Sequence, residues 1–596
     1  MRIDKFLKVS RLIKRRTIAK DAIDADRIYL NGVLTKPGKQ LKIGDKIQLH
    51  LGLKIITIEV TSLNYSKDQP MYTLIYEEKR SLWSFFLKNY IIISNDKEEI
   101  NMFPDDLNEQ QQIRLEKVEE LRKLGVDPFG HRFDRTHMSK DIIDAYDQFS
   151  REELEEKNVK VIIAGRIVLR RTQGKAGFIQ LQDREGRIQV YIRLNNVADF
   201  QFELFKHSDL GDIVGIEGTL FRTKTDELTV KAESFTHLTK AITPLPDKYH
   251  GLQDKEEARR RRYVDLIVNE HSMYVARTRP KIIRAFQHYF DSHGYIEVET
   301  PVLHPILGGA AARPFITHHN TLDMDFYLRI ATELPLKRLI VGGMERVYEI
   351  GRLFRNEGIS SKHNPEFTTV EAYMAYGDVT DMMELVEDCL SSVAYEVTGS
   401  YDVVFKDQTI HLKDFKRAHM VDLIKEQTGV NFFKEYTLDE AKKIAKEHKV
   451  KVEPHFTVGH IIEAFFDEFV ESTIIQPTIV YGHPVEISPL AKTNKEDPRF
   501  TDRFELFIMG SEYANAFSEL NDPVDQKNRF LDQLKQKEKG DDEASEMDID
   551  FVEALEYGMP PTGGIGIGID RFVMLLTNTP NIRDVILFPH ARHKTK

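Results

Sequence analysis

The clearest pattern in this chain is an alternation across residues 367–374, which has the two-residue period of a β-strand. Phe367, Thr369, Glu371 and Tyr373 fall on one face, and Thr368, Val370, Ala372 and Met374 fall on the other. A strand normally turns its polar face to water. Because this polar face carries two aromatic rings and a carboxylate, we interpret it as the wall of a pocket.

A second predicted strand precedes it, and a cationic, hydrogen-bonding loop around residues 360–364 joins the two. Arg355 and Glu357 have the same parity at the end of that strand, so their side chains can project the same way. An arginine fork binds carboxylates and phosphates, and a flat ring such as Phe367 stacks on a base. The hairpin therefore predicts a nucleotide site.

A second hairpin, RFELFIMGSEYANAFSELNDP, begins at Arg503. Glu505 and Glu512 flank its turn and are expected to meet across the strands, where paired carboxylates would suit Mg²⁺ beside phosphates. Asn515, Phe517 and Glu519 alternate onto one face. A buried acidic row is costly unless it meets a cation, so this face predicts a cationic ligand.

Three alternate glycines precede Asp570 and Arg571 in the segment GMPPTGGIGIGIDRFVMLL. The segment has neither the GxGxxG order of a dinucleotide site nor the ending of a Walker loop. Glycines at Gly564, Gly566 and Gly568 would clear one strand face, so that a substrate can lie on the backbone. Arg571 at a helix N-terminus would add positive charge against a phosphate.

The remaining patterns divide the chain into regions and predict an α+β protein. Residues 1–80 form a basic head, residues 81–100 are either a packed linker or a fusion seam, and residues 101–157 are helical and highly charged. Residues 158–245 read as regular short strands typical of an OB-fold barrel. Residues 246–270 form a charged hinge whose arginines Arg259–Arg262 face tRNA or pair with nearby acids, and residues 271–596 hold the hairpins and glycines.

Composition and charge narrow the setting. The 596 residues are 41% hydrophobic and 30% charged, as in soluble globular proteins, and the single cysteine, Cys389, excludes a disulfide framework. No apolar run reaches the length of a membrane span, and the N-terminus lacks a signal-peptide core, so we expect a cytoplasmic protein. Residues 1–55 carry 14 Lys and Arg against 5 Asp and Glu, which predicts a polyanion partner for the head.

The segment FRNEGISSKHNPEF resembles the second signature motif of class II aminoacyl-tRNA synthetases, and the chain is similar to the lysyl-tRNA synthetase family. The segment around Pro301 resembles the first motif and Arg571 the third. The resemblance implies an antiparallel catalytic sheet, ATP and lysine as substrates, Mg²⁺, tRNA(Lys), and a homodimer with Pro301 at its interface. Arg355 and Arg571 are then the catalytic residues.

The same resemblance assigns the other site residues. ATP would contact Arg355, Glu357, His363, Phe367 and Arg571, and Mg²⁺ would bind Glu505 and Glu512. Lysine would contact Gly309, Glu333, Glu371, Tyr373, Asn515, Phe517 and Glu519. The anticodon would contact Arg171, Phe178 and Gln189, although a core role for Phe178 is the competing interpretation. Glu333 has an alternative role as a helix cap.

The head, MRIDKFLKVSRLIKRRTIAKDAIDADRIYLNGV, resembles the alpha-L RNA-binding motif of the ribosomal protein S-four type. This resemblance places RNA contacts on Arg2, Arg11, Lys14, Arg15 and Arg16, with either ribosomal RNA or tRNA as the second RNA. Alternatives for the whole chain are an aspartyl or asparaginyl synthetase, a protein-lysine modifying paralogue, and a ribosome-associated RNA-binding protein with a non-catalytic body.

Overall fold

The computed structural model describes residues 1–10, 12–13, 16–24, 27–51, 54–64, 71–79, 108–246, 252–310, 312–538 and 547–591. These residues form two units, Met1–Pro244 and Leu245–Lys596. The predicted linker at residues 81–100 lies outside the described residues. Within the described residues, none of the helices combines the length and the apolar character needed to cross a lipid bilayer.

The basic head folds as two short helices, Ile3–Val9 and Arg16–Asp24, with one sheet. The sheet contains β1 (Ile28–Leu30), β2 (Val33–Leu34), β3 (Lys46–Leu51), β4 (Lys54–Val60) and β5 (Tyr72–Lys79) in the order β2-β1-β3-β4-β5. The predicted apolar stripe of the first helix, Ile3, Phe6 and Leu7, is fully buried against the sheet. This stripe is what holds the helix in place, because a seven-residue helix is unstable alone.

The predicted barrel is present. It is closed in the order β10-β8-β7-β6-β9. Its strands are β6 (Lys160–Gln173), β7 (Ala176–Gln182), β8 (Arg187–Arg193), β9 (Ile213–Arg222) and β10 (Leu228–Thr239), with a helix at Asp199–His207. Buried and partly exposed residues alternate along β6, β7 and β8, so the apolar set fills the interior. Helices Glu109–Lys123, Ser139–Tyr146 and Arg151–Lys157 precede the barrel, as the charged pattern predicts.

The second unit is built on an eight-stranded sheet with the order β11-β15-β16-β23-β22-β21-β20-β19. The strands of this unit are β11 (Ile296–Glu297), β12 (Leu303–His304), β13 (Ile316–His319), β14 (Met324–Leu328), β15 (Arg346–Phe354), β16 (Glu366–Ala375), β17 (Asp402–Phe405), β18 (Gln408–His411), β19 (Lys416–His419), β20 (Thr478–Tyr481), β21 (Arg503–Phe507), β22 (Glu512–Ser518) and β23 (Thr562–Gly568). The six inner strands pair antiparallel, as predicted, and only the edge strands β11 and β19 run parallel to their neighbours.

Helices cover the apolar face of this sheet. Those of the second unit are Lys255–Arg260, Arg262–Val268, Glu270–Ser292, Glu333–Val341, Val379–Thr398, Met420–Thr428, Leu438–Glu447, Val458–Phe469, Pro523–Glu538, Ile549–Glu556, Ile569–Leu576 and Ile582–Val585. The main core packs Phe286 and Phe290 of the long helix with Val386 and Cys389 against the strands. Burial raises the pKa of the Cys389 thiol well above its usual range, so this cysteine is an inert core residue.

Two of the four hinge arginines, Arg259 and Arg262, pair with nearby acids and are structural, which decides between the alternatives for these two. Arg259 pairs with Asp584 at 2.7 Å and with Glu256 at 2.8 Å. Arg262 pairs with Asp265 at 2.7 Å and donates to the Leu587 carbonyl at 3.1 Å. Both guanidinium groups are buried, so they fasten the hinge helices to residues 583–587.

Candidate active site

The glycine-bearing strand forms the floor of a cavity between two substituted strands. In the register, Gly564 pairs with Tyr373 on one side and with Phe517 on the other. Gly566 pairs in the same way with Glu371 and Asn515. The predicted pocket faces of β16 and β22 therefore flank a strip of bare backbone.

This cavity has a volume of about 680 Å³ and contains most of the predicted catalytic-domain site residues. The predicted residues that line it are Gly309, Glu333, Arg355, Glu357, His363, Phe367, Glu371, Tyr373, Glu512, Asn515, Phe517, Glu519 and Arg571. Glu505 is not among them. Along β16 the lining changes from Phe367 to Tyr373, so the cavity has two ends. We call them the arginine end, with Arg355 and Arg571, and the carboxylate end, with Glu371 and Glu519.

A buried ion network forms the carboxylate end. Glu519 is 1% exposed, and one of its carboxylate oxygens, Oε2, contacts the Lys337 ammonium. Lys337 is fully buried and also pairs with Glu333 Oε1 at 2.5 Å. The other oxygen, Glu519 Oε1, is buried without a hydrogen-bond donor among the described residues. A buried carboxylate oxygen without a donor is costly, so it marks a place for a cationic ligand.

A second buried carboxyl lies beside this network. Glu371 Oε1 accepts from the Thr332 backbone N–H at 3.2 Å, and the Tyr373 hydroxyl donates to Glu371 Oε2 at 3.3 Å. Burial, and next the negative charge of Glu333, raise the pKa of Glu371 to about 7. The carboxylate end therefore holds more negative charge than its own cation balances.

The arginine end begins where β15 stops. The Arg355 guanidinium lies over the Phe367 ring, 5.2 Å from its centroid. Its Nε is buried and has no hydrogen-bond acceptor among the described residues. The guanidinium is thus placed by the ring and left free to bind an anion.

His363 and Arg571 meet at the same end. Arg571 donates to the Glu512 carbonyl, pairs with Glu512 Oε2 at 3.2 Å, and lies 3.4 Å from His363 Nε2. Burial and the Arg571 charge lower the pKa of His363. A neutral His363 can accept from Arg571, which leaves the remaining guanidinium hydrogens for phosphate oxygens.

The prediction that Glu505 and Glu512 face each other across the hairpin is wrong. Glu505 pairs with Asn515 in the register, and Glu512 pairs with Phe507, two residues farther along the strand and just after a bulge that follows Leu506. Each carboxylate contacts a guanidinium instead, Glu505 that of Arg503 at 2.5 Å. Among the described residues, no group of three or more His, Cys, Asp or Glu side chains is placed to hold a metal ion.

The surroundings of Glu505 still suit a cation. Burial, and next the charges of Glu471 and Glu505, raise the pKa of Asp467 to about 6. Burial also raises the pKa of Glu471, and among the nearby charges Glu505 and Glu512 add to the shift. An excess of negative charge next to two carboxylates fits Mg²⁺, which commonly binds one or two carboxylates together with substrate phosphates.

The predicted anticodon residues lie on the outer face of the barrel. Phe178 is half-buried and is not part of the barrel core, so the competing interpretation of a core phenylalanine is wrong. Its ring lies 4.9 Å from that of Tyr191, which in turn lies 6.0 Å from Phe221. Arg171 is exposed and pairs with Phe178 in the register, and Gln189 donates to Thr229 at 3.0 Å.

In the head, Arg2 and Arg16 converge on Asp4 at 3.2 and 2.9 Å and remain about half exposed. Burial opposes ionisation of Asp4, but the Arg16 guanidinium and the Lys5 backbone N–H hold the pKa of its carboxyl below its usual value. The other predicted RNA contacts, Arg11, Lys14 and Arg15, lie outside the described residues.

Pro301 is exposed between β11 and β12. Ile296, Val302 and Leu303, which are close to it in the sequence, have apolar side chains that are 53%, 40% and 42% exposed. Three apolar side chains are therefore exposed within residues 296–303, the segment that contains Pro301.

The sequence patterns did not single out Lys337. Its one sequence signal is the i, i+4 spacing from Glu333, which on a helix favours an ion pair. That spacing does not reveal burial, and most such pairs lie on the surface.

Three family models match the chain. The model described as "tRNA synthetases class II (D, K and N)" matches residues 254–592. An OB-fold nucleic acid binding domain matches residues 161–238, and an S4 domain matches residues 1–47.

Curated relatives match most of the chain. The lysine–tRNA ligase of Bacillus subtilis (strain 168) is 60% identical over 491 residues, which cover 82% of this chain and 98% of the relative. The lysine–tRNA ligase of Bacillus cytotoxicus is 59% identical over 83% of this chain and 99% of its own length. That of Onion yellows phytoplasma is 58% identical over 82% of this chain and 96% of its own.

Proposed function

The chain belongs to the lysine–tRNA ligase family of class II tRNA synthetases, and from this premise we propose which residues activate lysine with ATP and transfer it to tRNA. The observation that carries the proposal is the pair of unsatisfied groups in one cavity. Glu519 Oε1 lacks a donor at the carboxylate end, and Arg355 Nε lacks an acceptor at the arginine end. A ligand with ammonium groups and a carboxylate satisfies both.

Lysine lies with its ammonium groups at the carboxylate end. Glu519, with the Tyr373 hydroxyl nearby, takes the side-chain ammonium, and Glu333 with Glu371 takes the α-ammonium. Gly309, Asn515 and Phe517 line the same part of the cavity. The lysine carboxylate then points along the bare strand toward Arg355.

ATP lies at the arginine end. Phe367 stacks on the adenine, Glu357 accepts from its amino group, and His363 and Arg571 bind the outer phosphates. Arg355 holds the lysine carboxylate against the α-phosphate, where in-line attack gives lysyl-adenylate and pyrophosphate. The terminal adenosine of tRNA then takes the lysyl group. Positioning and charge neutralisation supply the rate, without a protein nucleophile.

Glu505 and Glu512 would hold Mg²⁺ together with ATP. The ion would neutralise negative charge on the phosphates while the bond between the α- and β-phosphates of ATP breaks. Before ATP binds, Arg503 and Arg571 compensate these two carboxylates.

The substrate assignment is tested by ATP–pyrophosphate exchange with each amino acid in turn. We expect lysine alone to support rapid exchange. Aspartate or asparagine as the best substrate would contradict the assignment. The three glutamates of the carboxylate end, Glu333, Glu371 and Glu519, disfavour the anionic side chain of aspartate.

The barrel is proposed to read the anticodon of tRNA(Lys) through Phe178, Arg171 and Gln189. Phe178→Ala is expected to raise KM for tRNA(Lys) by about tenfold to a hundredfold, since one base–aromatic stack contributes about 1–3 kcal/mol. Lysine-dependent ATP–pyrophosphate exchange should not change. Steady-state aminoacylation and exchange assays measure the two effects.

Phe178→Leu is the matched control, because it keeps an apolar side chain but removes the flat ring. It should resemble the alanine variant. If the leucine variant charges tRNA(Lys) normally, Phe178 acts by packing and not by stacking.

We also propose that the chain is a homodimer with Pro301 at its interface. The support is the exposure of the apolar side chains of Ile296, Val302 and Leu303 in the segment that contains Pro301. Val302→Glu is expected to convert a dimer to a monomer in light-scattering measurements of molar mass. Val404→Glu, at a valine that is 56% exposed on the β17–β18 hairpin, serves as the control and should stay dimeric. A monomeric unmutated chain would contradict the proposal.

The head is proposed to bind a second RNA, ribosomal or transfer. The exposed halves of Arg2 and Arg16 and the +9 net charge of residues 1–55 against −20 for the rest support this role. The match of an S4 domain to residues 1–47 also fits it.

A further inference from the structure

Lys337 is a fully buried cation that does not line the cavity but contacts two of the carboxylates that do. Its ammonium pairs with Glu333 at 2.5 Å and contacts Glu519. The rings of Phe517 and Phe551 lie 5.3 and 5.8 Å from the nitrogen. Two carboxylates and two aromatic faces therefore hold the ammonium where a substrate's side-chain ammonium would otherwise be the sole partner of Glu519.

Lys337 is charged at neutral pH. Burial disfavours its charge, but the Glu333 and Glu519 carboxylates raise the pKa of its ammonium above the ordinary value. Burial also raises the pKa of Glu519, and the adjacent Lys337 ammonium opposes that shift. The Lys337 charge thus favours the ionised form of the adjacent Glu519 carboxyl against the effect of burial.

A charge count at the carboxylate end gives a simple result. Glu333, Glu371 and Glu519 supply three negative charges when ionised, and Lys337 supplies one positive charge. The difference is two negative charges. Lysine has two ammonium groups, and its carboxylate is balanced separately by Arg355.

We propose that Lys337 is a positioning residue that sets the specificity of this pocket, by fixing its charge at the value that two ammonium groups neutralise. The inference rests on the proposed function. An amino acid with one ammonium group leaves a buried negative charge uncompensated, and its binding is correspondingly weak. Lys337 acts through Glu333 and Glu519 and does not touch the reacting atoms.

If the charge of the pocket controls binding, the affinity for lysine increases with pH. Because the pKa of Glu371 is about 7 in the free protein, part of the population carries a proton there. Two ammonium groups lower that pKa, so the proton leaves when lysine binds. Lysine affinity should rise between about pH 6 and about pH 8 and then level off, since binding favours the deprotonated form.

Lys337→Met removes the charge and keeps the length of the side chain. Without the internal ammonium, the pKa of the Glu519 carboxyl in the free protein rises further, because Lys337 no longer opposes the effect of burial. We expect about one additional proton to be released on lysine binding near pH 7, and a Kd for lysine at least about tenfold higher. The affinity should continue to rise above about pH 8, where the unmutated chain has levelled off.

Isothermal titration calorimetry of the intact chain with lysine, in buffers of different ionisation enthalpy, counts the released protons. Lys362→Met is the matched control, because Lys362 lines the cavity but donates to the Gly510 carbonyl at 2.6 Å. It should release the same number of protons on lysine binding as the unmutated chain. Thermal unfolding and ATP affinity report whether each variant is folded, and Lys337→Gln replaces the methionine variant if that one does not fold.

A weaker Kd with an unchanged number of released protons would overturn the proposal, since it would show that Lys337 only packs the pocket. That outcome is distinct from failure of the proposed function. If the unmutated chain showed no lysine-dependent exchange, the function itself would be wrong, whatever the variant does.

Discussion

Arg355→Ala is expected to lower the rate of lysine-dependent ATP–pyrophosphate exchange by about a thousandfold, the effect of losing a preorganised donor to a developing charge. The guanidinium is already placed over Phe367 with Nε unsatisfied, so it needs no rearrangement to bind the reacting groups. Its contacts strengthen as the carboxylate attacks the α-phosphate. The loss should therefore appear in kcat more than in KM.

Arg352→Ala is the control for this variant. Arg352 lies on β15, three residues before Arg355, is about half exposed, and pairs with Glu366 at 2.6 Å outside the cavity. Its exchange rate should stay within about twofold of the unmutated rate, because exposed ion pairs contribute little. Normal exchange by Arg355→Ala would refute the central role given to this residue.

Gly564→Ala is expected to weaken lysine binding by about a hundredfold, which corresponds to about 3 kcal/mol. An added Cβ would lie 2.0 Å from Glu519 Oε1 and 2.5 Å from the Tyr373 ring. Neither side chain can move freely, because both are buried and Glu519 is held by Lys337. Calorimetric titration with lysine in the absence of ATP measures the effect on the pocket alone.

Gly566→Ala, two residues along the same strand, is the control. It also adds a methyl group to the glycine strand, but it does not displace the Glu519 carboxylate. Its Cβ would meet nothing closer than the Glu371 Cγ at 3.6 Å, an ordinary contact distance. Lysine affinity should change much less than in Gly564→Ala. Equal losses at the two positions would mean that Glu519 is not held in the observed place.

The sequence predicts the walls and floor of the cavity correctly for a physical reason. Strand periodicity fixes which side chains share a face, so Phe367 and Tyr373 could be placed together without coordinates. The alternate glycines showed that the neighbouring strand was bare. The register then set Gly564 between Tyr373 and Phe517, as a continuous sheet requires.

What the sequence could not predict depends on tertiary placement. The register of the second hairpin, which includes a bulge after Leu506, sets Glu505 opposite Asn515 and Glu512 opposite Phe507, and no residue pattern in the hairpin predicts that register. Lys337 has the spacing of a surface ion pair, and only the packing of its helix beside the end of β22 buries it. Arg259 likewise looks solvated in sequence, because its partner Asp584 lies more than 300 residues away.

The contacts of Arg259 and Arg262 with residues 583–587 also bear on the order in which the protein acquires its structure during translation. The barrel can form once its own strands have left the ribosome, because its pairing partners all lie within residues 160–239. The hinge helices, which are synthesised early in the second unit, find partners for their guanidinium groups only after residues 583–587 have been synthesised. The first helices of the second unit are thus held in place by residues 583–587. A chain whose synthesis stops before residue 583 would contain a complete barrel, but Arg259 and Arg262 would lack these partners.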